Sequence, residues 1–144
     1  MHIRPLEKKD LHPESGFFQT LADLSTTEFL GQQWADDIFE ENEKKGFFTW
    51  VAVINKKIVG TVSCIALRSY AHRGVPFLTV HNVVIHHKWQ GKKIGEALMQ
   101  YLNNWASDKG YKIILDCSKR NTPFYEKCGY RQHEIGMRLD LRDE

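Results

Sequence analysis

The order of strand-like and helix-like segments predicts an α/β fold in which a mixed sheet is flanked by helices. Two stretches carry this prediction. Residues 47–67 are rich in β-branched and aromatic side chains on both sides of a short turn, which is typical of a hairpin. Residues 94–105 place apolar side chains at helical spacing, which is typical of an amphipathic helix. The complete expected order is β-α-α-β-β-β-α-β-α-β.

The first third of the chain is expected to hold one strand and two helices. The strand runs from Ile3 to Leu6. The segment from Asp10 to Leu24 carries apolar residues at helical spacing and predicts the first helix. Ser25-Thr26-Thr27 then offers N-cap side chains for the second helix, which ends at Gly46. The apolar residues of this second helix are Phe29, Trp34 and Ile38.

The rest of the chain alternates between strand-like and helix-like patterns of apolar residues. The expected elements are strands at 47–54, 58–67 and about 77–85, a helix at 94–105, a strand at 111–117, a short helix at 123–127 and a final extended segment at 130–141. Asn55-Lys56-Lys57 is the expected hairpin turn. Gly110 stands where helices commonly end in a left-handed residue.

Composition limits the classes of function. A length of 144 residues fits a single domain, 1–144. Twenty basic and 18 acidic residues give a net charge of +2, which does not favour a nucleic-acid or membrane partner. The three cysteines lack C-x-x-C spacing, so we expect no disulfide framework, no zinc site and no metal cofactor. With no long apolar run, the expected location is the reducing cytoplasm.

The junction between the strand at 77–85 and the following helix resembles a phosphate site. Residues 90–95 read Gln-Gly-Lys-Lys-Ile-Gly. A helix start exposes unpaired N–H groups and the positive end of the helix dipole, and both favour an anion. Gly91 and Gly95 let the backbone come close to a ligand, while Lys92 and Lys93 add positive charge. A glycine-containing turn with solvated lysines is the alternative interpretation.

A second segment, residues 116–130, carries groups suited to proton transfer. Asp116 at a strand end suits the holding of an amine, and Tyr125 on the next helix suits protonation of a leaving group. A purely structural interpretation also remains open. In it, Asp116 caps the next turn, and Phe124 and Tyr125 are core aromatics.

Together, the two segments resemble the GNAT acetyltransferase superfamily. Its motif Q/R-x-x-G-x-G/A is met by Gln90 and Gly95, but Lys93 stands where most members have glycine. Within the superfamily the chain most resembles the glucosamine-6-phosphate N-acetyltransferases, over nearly its whole length. The most specific segments are 112–117 and 124–130. The resemblance implies the GNAT fold, whose central sheet is mostly antiparallel.

The resemblance implies direct transfer of acetyl from acetyl-CoA to the amine of glucosamine 6-phosphate, with Cys117 and Cys128 as packing residues. Asp116 would orient the amine and accept its proton, directly or through water, and Tyr125 would protonate the departing thiolate. The backbone N–H of Val84 would stabilise the oxyanion. The implied coenzyme-binding residues are Val83, Val84, Ile85, Gln90, Gly91, Lys92, Lys93, Ile94, Gly95, Glu96, Asn121, Phe124 and Lys127.

The implied acceptor-side residues are Ser25, His72, His81, Asn82, Asp116 and Arg138. Arg138 and Arg142 are the candidates for a phosphate contact. Relatives carry an acidic pair where this chain has His81 and Asn82, so the departures fall on the acceptor side. His81 is either an alternative base or a structural histidine. The family also implies a homodimer paired through the C-terminal strand.

Three other functions are alternatives to this one. The first is a GNAT enzyme for another small amine or a protein N-terminus, which the replaced acidic pair keeps open. The second is a catalytically idle acetyl-CoA-binding module, which the presence of Asp116 and Tyr125 argues against. The third is an interaction domain, which leaves the glycines of the helix start and residues 121–129 unexplained.

Overall fold

A five-stranded sheet forms the centre of the computed structural model, which describes residues 1–141. The strands are β1 (His2–Pro5), β2 (Phe47–Ile54), β3 (Lys57–Leu67), β4 (Phe77–Ile85) and β5 (Lys112–Leu115), and they lie in the sheet in this order. Neighbours among β1 to β4 pair antiparallel, and β5 joins β4 in parallel. The predicted α/β class with a mixed, mostly antiparallel sheet is confirmed.

Four α-helices cover the sheet. They are α1 (Phe17–Leu21), α2 (Gln32–Lys45), α3 (Ile94–Asp108) and α4 (Thr122–Lys127). One face of the sheet packs on α3, whose buried residues are Ile94, Leu98, Met99, Leu102 and Ala106. The other face packs on α1 and α2, where Phe17 and Ala35 meet Val51 and Ile58. Burial of each core leucine contributes about 2 kcal/mol, so α3 is the main anchor of the coenzyme side.

The turn of the β2–β3 hairpin has two residues, one fewer than predicted. Asn55 and Lys56 have φ of 51° and 66°, both left-handed. A two-residue turn of this kind matches the right-handed twist of the flanking strands. Pairing therefore resumes at Lys57, opposite Ile54, and not at Ile58.

The predicted first helix over 10–24 is wrong in extent. Lys8–Asp10 forms one 3-10 turn, and α1 covers only five residues. Gly16 interrupts the segment with a φ of 94°, and a Cβ there would collide with the Ile58 carbonyl oxygen. Asp10 is tied to β1 by two hydrogen bonds from the Arg4 guanidinium, of 2.7 and 2.9 Å. Close contact with the sheet therefore overrides the helical spacing.

The predicted N-cap of the second helix is also wrong. The cap of α2 is Gly31, with a φ of 111°, and not the Ser25–Thr27 segment. Phe29 lies in the connection before the helix, with its ring 5.1 Å from that of Phe18 and 6.2 Å from that of Trp34. Phe29 is partly buried in this aromatic cluster, and the helix starts only after Gly31.

The predicted last strand, 130–141, is not formed within one chain. Residues 130–141 have no regular secondary structure in the described part of the chain. Their apolar side chains at alternate positions are largely exposed: Ile135 91%, Met137 95%, Leu139 79% and Leu141 86%. The alternation is that of a strand, but a strand requires a paired neighbour.

Candidate active site

A cleft opens where β4 and β5 part. Their parallel pairing runs only from Phe77 opposite Lys112 to Val80 opposite Leu115. Beyond it, Asn82 has a left-handed φ of 54°, and β4 carries one more residue than β3 between their paired positions. Such a bulge bends the strand and strengthens its twist. The resulting cleft has a volume of about 560 Å³.

The cleft brings together predicted residues that are far apart in sequence. Asp116 directly follows β5, and Tyr125 lies on α4 after a 3-10 turn at Lys119–Asn121. The predicted site residues that line the cleft are His81, Asn82, Val83, Asp116, Asn121 and Tyr125. The two proposed catalytic groups therefore face one space, although their roles remain predictions.

Tyr125 keeps its proton at neutral pH. Its side chain is only 9% exposed. Burial, and to a smaller extent the neighbouring Cys117 and Cys128 thiols, raises the pKa of Tyr125 to about 12. A phenol with this pKa stays neutral at physiological pH and is available to donate its proton.

Asp116 lies exposed at the end of β5. The C-terminal segment passes in front of it, since a Cβ on Gly136 would lie 3.6 Å from both carboxylate oxygens. Gly136 therefore leaves the Asp116 carboxylate more room than a larger residue would. Arg138 follows two residues later and forms a hydrogen bond of 2.8 Å from its Nε to Asp140.

The start of α3 offers N–H donors. Gly91 and Lys93 have left-handed φ of 78° and 64°, and α3 begins after Lys93. No side chain among the described residues caps this end. Since the first intrahelical bond runs from the Ala97 N–H to the Lys93 carbonyl (3.1 Å), the three preceding N–H groups have no helical acceptor. This geometry suits a phosphate.

Several predicted coenzyme residues have structural contacts of their own. A Cβ on Gly95 would lie 3.1 Å from the Phe124 ring, so Gly95 also allows α3 and α4 to pack closely. Glu96 and Lys127 form a salt bridge of 3.0 Å between the same helices. Their hydrogen bond lowers the pKa of Glu96 and raises that of Lys127. Gln90 Nε2 donates to the Ile85 carbonyl at 3.1 Å and closes the loop.

The two valines after the bulge differ in exposure to the cleft. Val83 lines it. Val84 is buried and pairs with Thr61 of β3. The side chain of Val84 therefore belongs to the core, and only its backbone is relevant to the predicted oxyanion contact.

Three predicted acceptor-side residues do not line the cleft. Ser25 is exposed next to Leu24, which does line it. His72 has a left-handed φ of 54° in the exposed turn Ala71–Gly74. Arg138 is also exposed. Arg142 lies outside the described residues.

Sequence reasoning missed other residues of the cleft. They are Leu24, Thr79, Val80, Ile114, Leu115, Cys117, Ser118 and Arg120. Arg120 matters most, because it brings a permanent positive charge to the cleft. Its position inside the motif segment, directly before Asn121, was the available signal.

A second cavity adjoins the first at Asn82. It has a volume of about 700 Å³, and its lining comes mainly from α1, α2, β2 and α3. Most of its wall is apolar and aromatic, including Phe18, Trp34, Phe47 and Trp105. The acceptor side of the molecule therefore has apolar as well as polar space. Among the described residues, no helix has the length and apolar content needed to cross a bilayer.

Comparisons with known proteins agree with this geometry. The family model described as acetyltransferase (GNAT) domain matches residues 45–132. The glucosamine 6-phosphate N-acetyltransferase of Trypanosoma brucei brucei is 33% identical over 144 residues, covering 98% of this chain and 96% of that protein. The enzyme of the same name from Arabidopsis thaliana is 31% identical over 140 residues, covering 94% of this chain and 93% of its own length.

Solved structures agree as well. The crystal structure of glucosamine-6-phosphate N-acetyltransferase from Arabidopsis thaliana superposes with a TM-score of 0.90 at 28% identity, covering 98% of each chain. An acetyltransferase from Trypanosoma brucei superposes with a TM-score of 0.88 at 32% identity, covering 97% of this chain and 99% of the other. This chain therefore belongs to the GNAT family and is an N-acetyltransferase.

Proposed function

We propose that this protein transfers acetyl from acetyl-CoA directly to the amine of glucosamine 6-phosphate, as the single unit 1–144. The observation that carries the proposal is the cleft between β4 and β5, which Asp116 and Tyr125 both line. The relatives from Trypanosoma brucei brucei and Arabidopsis thaliana match this chain over more than nine-tenths of its length. Their names therefore support glucosamine 6-phosphate as the acceptor.

Acetyl-CoA would lie along β4 and the start of α3. Once β5 has parted from β4, backbone groups of 83–85 are available to pair with the pantetheine arm like an added strand. The free N–H groups from Ile94 to Glu96 would hold the pyrophosphate, with Lys92 and Lys93 adding charge. Gly91 leaves the approach open, since no atom lies within 4 Å of the place where its Cβ would be.

Asn121, Phe124 and Lys127 would support the coenzyme from the α4 side. Asn121 lines the cleft and is the N-cap of α4. Phe124 packs on Gly95, and Lys127 pairs with Glu96. We propose that Phe124 and Lys127 act by holding α4 against the phosphate-binding end of α3.

The chemical step requires a neutral amine, because an ammonium has no lone pair. Asp116 would orient the amine and take its proton, directly or through water. The amine nitrogen then attacks the thioester carbonyl carbon, and the Val84 N–H would stabilise the negative oxygen. When the C–S bond breaks, the thiolate takes the Tyr125 proton, and the new amide nitrogen releases its second proton, which restores the Tyr125 hydroxyl through water. The raised pKa of Tyr125 is compatible with this role, because the hydroxyl is protonated beforehand.

The acceptor would meet Ser25, His72, His81, Asn82 and Arg138 around Asp116. His81 and Asn82 line the cleft, with His81 Nε2 at 3.3 Å from the Thr79 hydroxyl. For the phosphate we propose Arg138, since the C-terminal segment passes Asp116 two residues earlier. Arg120 is the second candidate because it lines the cleft.

We further propose a homodimer in the cytoplasm. The alternating exposed apolar residues at 135, 137, 139 and 141 have the pattern of a strand that lacks a neighbour. Since β5 is the last strand of the sheet, a second copy would supply the pairing that one chain lacks. Three free thiols are compatible with a reducing compartment. Light scattering should give twice the monomer mass, and Met137→Asp should shift it towards the monomer.

A coenzyme-release assay over a panel of amines tests the acceptor. The panel contains glucosamine 6-phosphate, glucosamine, polyamines and peptides with free N-termini. We expect kcat/KM to be highest for glucosamine 6-phosphate. If it is no better than glucosamine, the acceptor proposal fails, whereas the absence of coenzyme release with every amine would support an idle binding module.

The second candidate function is acetylation of a more apolar amine. The apolar cavity that shares Asn82 with the cleft favours it, since burial of an apolar group against these walls would be favourable. Preference for peptides with large apolar first residues over glucosamine 6-phosphate would establish this alternative.

A further inference from the structure

Two histidines and a carboxylate meet at the end of β4, outside the cleft. Asp23 follows α1, whereas His86 and His87 follow β4. One donor atom from each of the three lies within 4.8 Å of the others. We propose that Asp23, His86 and His87 form a binding site for a divalent transition metal ion, with Zn²⁺ as the representative ion.

The spacing of Asp23 and His87 already fits a metal. His87 Nδ1 lies 3.1 Å from Asp23 Oδ1 and 3.0 Å from Oδ2. Two ligands at 2.0–2.1 Å from a tetrahedral zinc ion are separated by about 3.3 Å. A zinc ion would therefore replace the hydrogen bond between these two side chains with little movement of either.

The backbone orients the carboxylate for this task. The His87 N–H donates to Asp23 Oδ2 at 2.7 Å, which leaves Oδ1 available as a ligand. A hydrogen bond to a ligating carboxylate fixes its direction and is a usual companion of metal sites. The contact joins residues 64 apart in sequence, so the fold and not the local chain creates the pair.

His86 supplies the third ligand. Its ring stacks on that of His87, with centroids 4.4 Å apart and planes inclined by 24°. Its Nδ1 accepts a hydrogen bond of 3.2 Å from the Lys88 N–H, which helps to fix the ring. His87 is exposed, so a fourth position remains open to water. Two imidazoles with one carboxylate suit zinc, nickel or copper better than magnesium.

The site would join two functional segments. Asp23 lies two residues before Ser25, and His86 and His87 lie four and three residues before Gln90, where the proposed coenzyme loop begins. A bound ion would fix the connection after α1 against the entrance to that loop. The sequence expectation of no metal site rested on the cysteines and did not consider this cluster.

Titration calorimetry of tag-free protein with ZnCl₂ tests the proposal. We expect one ion per chain with a dissociation constant on the order of micromolar, and a raised Tm in zinc but not in magnesium. His87→Asn is the sharpest variant. The backbone N–H of residue 87 can still donate to Asp23, but the imidazole ligand is removed. His86→Ala is the second, and each should weaken binding by at least about tenfold.

Two control variants make the result decisive. His133→Ala removes an exposed histidine outside the cluster and should bind zinc like the parent protein. Cys117→Ser removes the exposed thiol, which is the main competing zinc ligand. Loss of binding in Cys117→Ser with retention in His87→Asn and His86→Ala would overturn the proposal. Absence of zinc binding by the parent protein would also overturn it.

Discussion

The coenzyme side and the acceptor side of the cleft differ in how they are held. On the coenzyme side, Ile94 and Leu98 are buried in the core that α3 shares with the sheet, and Val84 is buried on β4. On the acceptor side, Ser25 and His72 lie on exposed connections, and Arg138 lies on an unpaired C-terminal segment. The proposed coenzyme site is therefore supported by core packing, whereas three of the proposed acceptor residues lie on exposed segments.

The largest expected fall in kcat comes from removing the proton donor to the leaving thiolate. Tyr125→Phe keeps the ring and its packing but removes the proton donor, so kcat should fall about 10²-fold or more. The affinity for acetyl-CoA, measured by calorimetry, should hardly change. Full activity in this variant would mean that Tyr125 only packs in the core and does not donate a proton.

Tyr130→Phe is the matched control. The Tyr130 hydroxyl donates to Asn103 Oδ1 at 2.7 Å, in a contact between the end of α4 and α3. Its loss should lower the free energy of unfolding by about 1 kcal/mol without a comparable fall in kcat. Equal losses of kcat in both variants would mean that activity follows stability and not the proton of Tyr125.

A smaller fall in kcat is expected when the carboxylate that is proposed to hold the amine is removed. Asp116→Ala should lower kcat by about 10- to 10²-fold, because the amine is then neither oriented nor readily deprotonated. Steady-state kinetics with acetyl-CoA at saturation measure it. Asp108→Ala, which removes an exposed carboxylate at the end of α3, is the comparison, and a similar loss there would remove the special role of Asp116.

The phosphate contact should affect KM and not kcat. We expect Arg138→Ala to raise KM for glucosamine 6-phosphate about tenfold, as loss of one charge-assisted hydrogen bond does. KM for glucosamine should stay nearly constant. Arg120→Ala is measured beside it, since Arg120 lines the cleft. A phosphate-selective rise only in Arg120→Ala would assign the contact to Arg120.

The smallest effect tests the coenzyme loop. Lys93 has a left-handed φ of 64°, a conformation that glycine adopts without steric cost. Lys93→Gly should therefore raise the free energy of unfolding by about 0.5–1 kcal/mol, measured by denaturant titration. Lys92→Gly removes the same charge at a position without a left-handed φ, so it should destabilise through the greater backbone freedom of glycine in the unfolded chain. Stabilisation by both would contradict the strain argument.

Residues 47–115 were predicted well because their signals are local. The strand at 77–85 has the predicted bounds, and the apolar stripe of α3 reports its buried face directly. The segment over 10–24 was predicted poorly, since the fit of Gly16 against the Ile58 carbonyl oxygen depends on a residue far away in sequence. Prediction failed where a distant backbone, and not the local period, decided the conformation.

The sequence by itself determined the fold class, the order of the main elements and the two segments that carry the chemistry, because side-chain periodicity and short motifs are properties of neighbouring residues. Only the tertiary structure decided which of these residues share a space. Strands β4 and β5 part beyond Val80, Arg120 lines the resulting cleft, and Ser25, His72 and Arg138 lie outside its lining. The tertiary structure also brings Asp23 into contact with His87, although the two residues are 64 apart in sequence. Such contacts arise from the path of the backbone, which no local pattern records.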